Sequence, residues 1–344
     1  MKAMQTEGRV SSRTACRFGL ILTVLVSGAE TQVRPEIHPI ETVTVDIQQA
    51  LLGAHGKPTT VAGVLHVPAK PDGRIPAVIL LHGGNGLTAS DEQWARELDS
   101  IGVATFVLDS FTGRGIRPTK DDREELATLS MLIDGYRALG MLAKDPRIDS
   151  KRVAVMGFSM GAAAAIYSSN ERFRKMYATA GSQFAAHIGI YTPCYWHFRD
   201  DDRVTGKPIR LFHGVADDWS PIAPCRAYVE KLRKTGADVT LTEYPGAHHG
   251  YDSIEPRELK WIPDVASLRD CELVEGEHGV LLEGKTGKPF DLKSDPYIRR
   301  GAHVGYNEAA ATATVRAVTA FLRTVFHLKP EKSPQVRPEP GTAD

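Results

Sequence analysis

The chain has 344 residues, 42% of them hydrophobic and 24% charged, which suits a globular protein with one large core. Basic and acidic residues balance at 42 each, for a formal net charge of zero. That balance excludes a basic nucleic-acid surface and a polybasic membrane patch, and it points to a small, uncharged or weakly charged substrate.

Lys2, Arg9, Arg13 and Arg17 precede an apolar run at 18–26, and Ser27-Gly28-Ala29 follows it. A basic segment, a short apolar run and small residues at −3 and −1 describe a secretory signal peptide at 1–29, cleaved after Ala29. The run is too short to cross ~30 Å of hydrocarbon as a helix. No membrane span is therefore expected after cleavage, and the mature protein is expected to be secreted or periplasmic. Residues 30–328 read as one domain, and the Pro-rich 329–344 as a disordered tail.

Within the domain, 41–47 alternates with period two and 61–67 follows as a second strand after His55-Gly56-Lys57-Pro58, which predicts a hairpin. Residues 75–81 are a continuous apolar run, the mark of a strand buried on both faces. A polar helix carrying Trp94 and Leu98 leads to a buried strand at 103–108. Asp121 or Asp122 is expected to cap a long helix with Leu129, Ile133, Tyr136 and Gly140 on one stripe. Strands at 152–156, 186–192, 209–213 and 238–244 alternate with helices at 161–170 and 224–235, and a last helix at 308–327 is capped by Asn307. A hairpin followed by repeated β-α units predicts an α/β fold: a doubly wound, mostly parallel sheet with helices on both faces and no second core. The stretch 252–305 breaks the alternation. Within it 279–288 reads as one arm and the turn of a small hairpin, on an excursion that is either a surface arm or part of a lid.

With Cys16 removed in the signal, Cys194, Cys225 and Cys271 remain. In an oxidising compartment an odd number favours one disulfide and one free thiol. Cys194 and Cys225 follow consecutive strands whose ends lie side by side in a parallel sheet, so a 194–225 bridge is reasonable. Three buried thiols is the alternative.

Gly157-Phe158-Ser159-Met160-Gly161 lies between the strand run Arg152-Val153-Ala154-Val155-Met156 and Ala162-Ala163-Ala164-Ala165-Ile166. Strand, sharp turn, then helix is the context of a nucleophile elbow, in which side chains at the flanking positions would collide with neighbouring backbone. A serine hydroxyl needs a base oriented by an acid. In such a sheet both follow the elbow, acid first, on loops after later strands. Asp217, after the 209–213 strand, is the expected acid and His249, after 238–244, the expected base. Asp218 and His248 are their respective alternatives. A His-His pair near aspartates can also bind metal, but neither H-E-x-x-H nor C-x-x-C occurs, so no metal or cofactor is expected. Oxyanion donors are expected from the backbone N–H of Met160 and of Gly84, with Asn85 as second choice, in the loop His82-Gly83-Gly84-Asn85-Gly86.

His82-Gly83-Gly84, Asp109-Ser110-Phe111 with Arg114-Gly115, the elbow, Gly214-Val215-Ala216-Asp217-Asp218-Trp219-Ser220-Pro221 and Tyr244-Pro245-Gly246-Ala247-His248-His249-Gly250-Tyr251 together resemble the α/β-hydrolase superfamily and, within it, the dienelactone hydrolase family. The resemblance covers nearly the whole mature chain. It implies the α/β-hydrolase fold, an acid three residues after a glycine and a histidine just before Gly-aromatic, which select Asp217 and His249. The segments around Cys194 and Cys225 also look like those of exported relatives, which adds to the expected bridge. The chain departs from the family in holding Ser159 and Gly83 where dienelactone hydrolases proper carry the nucleophilic cysteine and a glutamate. A hydroxyl does not rest as an anion as a thiolate does, so the resemblance leaves the substrate open.

Arg114 is a candidate for gripping a substrate carboxylate, against a role in a loop salt bridge. Tyr195, Trp196 and Trp219 are candidates for lining an apolar pocket, against plain packing. His213 reads as a buried strand residue. The expected activity is serine hydrolysis of a small-molecule carboxylic ester or lactone through an acyl-enzyme. A peptidase, amidase or thioesterase of the same fold, and a non-catalytic ligand receptor, are the rivals; oligomeric state is not legible.

Overall fold

A computed structural model of the protein describes residues 35–69, 73–117 and 126–329. The expected signal peptide, the capping aspartates Asp121 and Asp122, and the chain from 330 onward lie outside them. β1 (Glu36–Thr44) pairs antiparallel with β2 (Lys57–His66), Glu36 opposite Leu65, as the expected hairpin. The strand lies earlier than its alternation suggested, because Asp46 ends it by capping α1 (Ile47–Leu52): its side chain accepts from the Gln49 N–H at 2.8 Å, and the Gln49 side chain returns to the Asp46 N–H at 3.0 Å.

β3 (Ile75–Leu81), α2 (Ala89–Ser100), β4 (Ala104–Asp109), α3 (Thr128–Leu142), β5 (Ile148–Phe158), α4 (Met160–Tyr167) and α5 (Glu171–Tyr177) follow. Then come β6 (His187–Ile190), β7 (Trp196–His197), β8 (Ile209–Gly214), α6 (Ile222–Lys234) and β9 (Val239–Tyr244). One eight-stranded sheet runs in the order β1-β2-β4-β3-β5-β6-β8-β9, parallel from β4 to β9. Every residue of β3 is buried because both faces are covered. Ala77, Ile79 and Leu81 face the layer of α3 and α4, whereas Val78 and Leu80 face Trp94 of α2 and Leu322 of the last helix.

The excursion forms β10 (Lys260–Ser267), β11 (Leu273–Glu275), β12 (Leu281–Glu283), β13 (Lys288–Pro289) and β14 (Arg299–Val304), after which α7 (Glu308–Val325) completes the described fold. Asn307 caps α7 as expected, accepting from the Ala310 N–H at 3.0 Å. β12 and β13 are the two arms of the small expected hairpin. β11 pairs with β12 and, in parallel, with β7, which anchors the excursion to the loop after β6. Cys271, Leu273 and Leu281 form a small satellite apolar cluster there with Tyr195 and Trp196 around it, an outlier of the main core and not a second domain. Its strands are two or three residues long in three cases, too short for periodicity to reveal them.

Candidate active site

The carboxyl ends of β3, β5, β6, β8 and β9 open onto one rim, where each loop delivers one part of the site. Ser159 joins β5 to α4 with φ 50° and ψ −115°, a left-handed φ that a serine adopts only under constraint from its surroundings. Packing supplies the constraint. A Cβ on Gly157 would stand 2.1 Å from the Gly161 carbonyl oxygen, and one on Gly161 would stand 2.2 Å from that of Leu81. Strand, helix and the neighbouring β3 therefore meet backbone to backbone, and the serine is thrust out at the apex.

His249, after β9, places Nε2 2.9 Å from Ser159 Oγ, and its Nδ1 lies 2.8 Å from Asp217 Oδ2 in the loop after β8. The backbone N–H groups of Trp219 and Ser220 donate to Asp217 Oδ1 at 2.9 and 2.8 Å. Burial acts to raise the Asp217 carboxyl, but the charges and hydrogen bonds of His249 and His213 outweigh it and hold it well below the usual carboxylate range. An ionised Asp217 takes the proton-bearing Nδ1 as its donor, which leaves Nε2 bare to accept the Ser159 hydroxyl. The alternatives are drawn aside: Asp218 accepts from the backbone N–H and Nδ1 of His303 at 2.8 and 2.7 Å. His213 is buried, as its strand position suggested, and its Nε2 donates to the Ser220 carbonyl at 2.7 Å.

The loop after β3 lies over the elbow. A Cβ on Gly83 would be 3.6 Å from Ser159 Cβ, and the Gly86 N–H closes a turn on the Gly83 carbonyl at 3.1 Å. His82 fixes this loop: Nε2 accepts from the Ser110 N–H at 3.1 Å, so the proton sits on Nδ1, which donates to the Gly83 carbonyl at 2.7 Å. Burial pushes the His82 imidazole below its ordinary value, consistent with this neutral tautomer. Gly84 and Met160 both line the cavity that opens at Ser159.

That cavity holds about 840 Å³ and is largely apolar, with Phe158, Tyr191, Tyr195, Trp196 and Trp219 in its wall. Ile262, Val265, Leu281 and Phe290 from the excursion close its other side, so 252–305 walls the site. Trp219 connects the two halves: its Nε1 donates to the Ala266 carbonyl at 2.9 Å while its ring centroid lies 4.8 Å from that of His249. Tyr191 packs on His249 at the same centroid distance, 4.8 Å. Its φ of 43° turns the chain sharply at the end of β6, and its ring packs edge-on against Tyr251 with centroids 5.6 Å apart, next to Asp252, which accepts from Trp94 Nε1 at 2.8 Å. Nothing in residues 186–192 marks Tyr191 as a site residue, because the turn that aims it depends on β6 lying between β5 and β8.

Arg114 is a correction. Its guanidinium is buried and bound bidentately by Asp134 of α3 at 2.7 and 2.9 Å, and it also donates to the carbonyls of Ser110 and Val43 and to Thr44 Oγ1. All its donors are satisfied away from the cavity, so it ties β1, the loop after β4 and α3 instead of meeting a substrate. Cys194 and Cys225 form the expected disulfide, with Cα atoms 5.0 Å apart, and Cys271 is a buried free thiol pushed up to about 12 chiefly by burial. Among the described residues no helix is long and apolar enough to cross a membrane.

The fold is shared with solved structures of low identity. A dienelactone hydrolase-like promiscuous phosphotriesterase from metagenomic libraries is 16% identical with a TM-score of 0.57, over 85% of this chain and 99% of that one. A putative dienelactone hydrolase from Klebsiella pneumoniae is 14% identical with a TM-score of 0.51, over 83% and 98%. Propionate-bound esterase 2 of Thermogutta terrifontis is 14% identical with a TM-score of 0.51, over 84% and 97%. By sequence, no curated protein matches. The model of the dienelactone hydrolase family matches residues 61–326, from β2 through the whole rim of loops to the end of α7. With the α/β-hydrolase sheet and its elbow in place, the chain belongs to the dienelactone hydrolase family.

Proposed function

We propose that the protein is a serine hydrolase that cleaves a carboxylic ester or lactone through an acyl-enzyme. The observation that carries this reading is the unbroken hydrogen-bonded relay from Ser159 through His249 to Asp217 at the mouth of a largely apolar cavity. His249 Nε2 removes the Ser159 proton as Oγ attacks the acyl carbon, and Asp217 holds the imidazole tautomer and stabilises its cation. The N–H groups of Met160 and Gly84 receive the developing oxyanion. Protonated His249 then gives its proton to the leaving alkoxide. A water deprotonated by His249 attacks the acyl-enzyme, and collapse of that second intermediate releases the acid and restores Ser159. No step uses a cofactor.

The large cavity with Tyr195 and Trp219 in its wall favours an uncharged ester with an apolar acyl or alcohol part. The Thermogutta esterase has also been described phosphoramylated by tabun, which makes a phosphorus probe the natural test of the nucleophile here. A fluorophosphonate should label the wild type, and Ser159→Ala should abolish labelling and lower kcat/KM for ester hydrolysis by more than about 10⁴-fold with an unchanged thermal midpoint. Folded wild type that resists the probe and hydrolyses no ester would favour a ligand receptor; faster turnover of a matched peptide amide or thioester than of the ester would move the reading to those classes. The Cys194–Cys225 bridge, together with the signal peptide expected from the sequence, supports placing the mature protein in an oxidising compartment, secreted or periplasmic.

A further inference from the structure

We propose that Asp218, His248 and His303 form a site for one divalent transition-metal ion, best suited to zinc, that ties the two triad-bearing loops to the excursion. Each of the three offers one ligand atom, and those atoms all lie within 4.8 Å of one another. Two imidazoles and a carboxylate are a donor set for zinc and its neighbours in the first transition row, whereas calcium and magnesium want oxygen alone. Asp218 and His303 are already joined at 2.7 Å, and the rings of His248 and His303 are 5.6 Å apart between centroids. His248 Nδ1 is buried without a hydrogen-bond partner, a polar atom left short by protein contacts alone.

The fit asks for a small contraction. Zinc bonds of ~2.0–2.1 Å in a tetrahedron set ligand atoms roughly 3.3 Å apart, so the widest separation must close by about 1–2 Å. The Asp218 and His303 side chains are 37% and 38% exposed, which leaves them room to turn. The backbone beneath them is held: Arg269 Nη1 donates to the Asp218 carbonyl at 3.0 Å and to the Gly301 carbonyl at 2.7 Å. Trp261 covers one side of His303, with ring centroids 4.8 Å apart.

Position in the chain gives the ion its role. Asp218 follows Asp217, His248 precedes His249, and His303 precedes Val304, which bridges to His249 in parallel. None of the three lines the cavity, so the ion braces the triad from behind and does not meet the substrate. The first two residues were visible in the sequence as neighbours of the triad. The third lies more than fifty positions on and arrives only because β14 pairs with β10, so no ligand spacing announces the set.

The test uses full-length, tag-free protein stripped with a chelator. Calorimetric titration with Zn²⁺ should give one equivalent, and Co²⁺ should give the visible bands of low-coordinate cobalt. Since outer-layer partners alone are worth ~10–100-fold in affinity, His303→Ala should weaken binding by at least about tenfold and remove the bands. His55→Ala, on an exposed loop, should change neither. Zinc should raise the thermal midpoint of the wild type and not that of His303→Ala. If His303→Ala does not fold, Asp218→Asn, which keeps the shape of the side chain, is read in its place. Absence of stoichiometric binding by the wild type, or equal binding by the variants, overturns the proposal. Neither outcome touches the ester-hydrolase reading, which rests on Ser159.

Discussion

The imidazole of His249 lies between the Asp217 carboxylate, bonded to its Nδ1, and the rings of Tyr191 and Trp219, and in the proposed reaction each neighbour has a separable effect. Asp217→Asn keeps the shape but offers Nδ1 a group that no longer prefers its proton, so kcat should fall about 10⁴-fold with little change in KM. The same variant should change acid stability. Because the folded Asp217 carboxyl titrates below its unfolded value of ~3.9, the unfolded chain binds the extra proton in that window. The stability this group contributes is present above pH ~4 and is lost as pH falls further, and the urea midpoint of Asp217→Asn should lack that loss. Arg114 makes a contrasting prediction. Arg114→Leu leaves the buried Asp134 charge unpaired and should cost about 3–5 kcal/mol in urea unfolding, while KM values for neutral and anionic esters move together. A rise in KM for anionic esters alone would return Arg114 to the substrate.

At the level of elements, the site depends on three segments meeting without side chains between them. Gly161→Ala puts a methyl 2.2 Å from the Leu81 carbonyl oxygen, a contact that backbone cannot yield without moving α4 off β3. The expected result is loss of soluble, cooperatively melting protein, a larger effect than Ser159→Ala at the apex. The excursion behaves oppositely. Its short strands contribute a wall through Trp219 and Ala266, so Trp219→Phe, which removes the 2.9 Å bond to Ala266, should change KM and the acyl-length preference more than the melting temperature. Equal KM values across a series of acyl lengths in both proteins would show that the wall does not select.

For the molecule as a whole, a buried histidine and a disulfide make stability depend on acid and on reduction. Burial lowers His187, within the core between β5 and β8, from 6.5 to about 4. Between those values the unfolded chain takes a proton that the folded chain refuses, so stability falls as pH drops from 6.5, by roughly 3 kcal/mol once pH is well below 4. Urea midpoints measured across that range should show the slope, and His187→Gln should flatten it. The Cys194–Cys225 bridge closes a loop of separation 31 around β8, and its removal as the double serine variant should cost about 2–4 kcal/mol.

The central strands and the sharp strand-to-helix turn at Ser159 were legible in the residues because each is a local pattern. A strand buried on both faces must be apolar throughout, as 75–81 is, and a turn as sharp as that at Ser159 must have small neighbours. What Arg114 binds, how Tyr191 reaches His249, and which wall 252–305 forms were not legible. Each depends on which strands lie side by side and which buried charge needs a partner, and Asp134 is twenty residues from Arg114. The single chain therefore determined the chemistry that its rim of loops can hold, through spacing and size. Only the tertiary structure decided which aromatic rings pack on His249 and that Asp218 turns to His303 instead, because contacts between distant segments are set by the stacking of the whole sheet and not by any segment's own pattern.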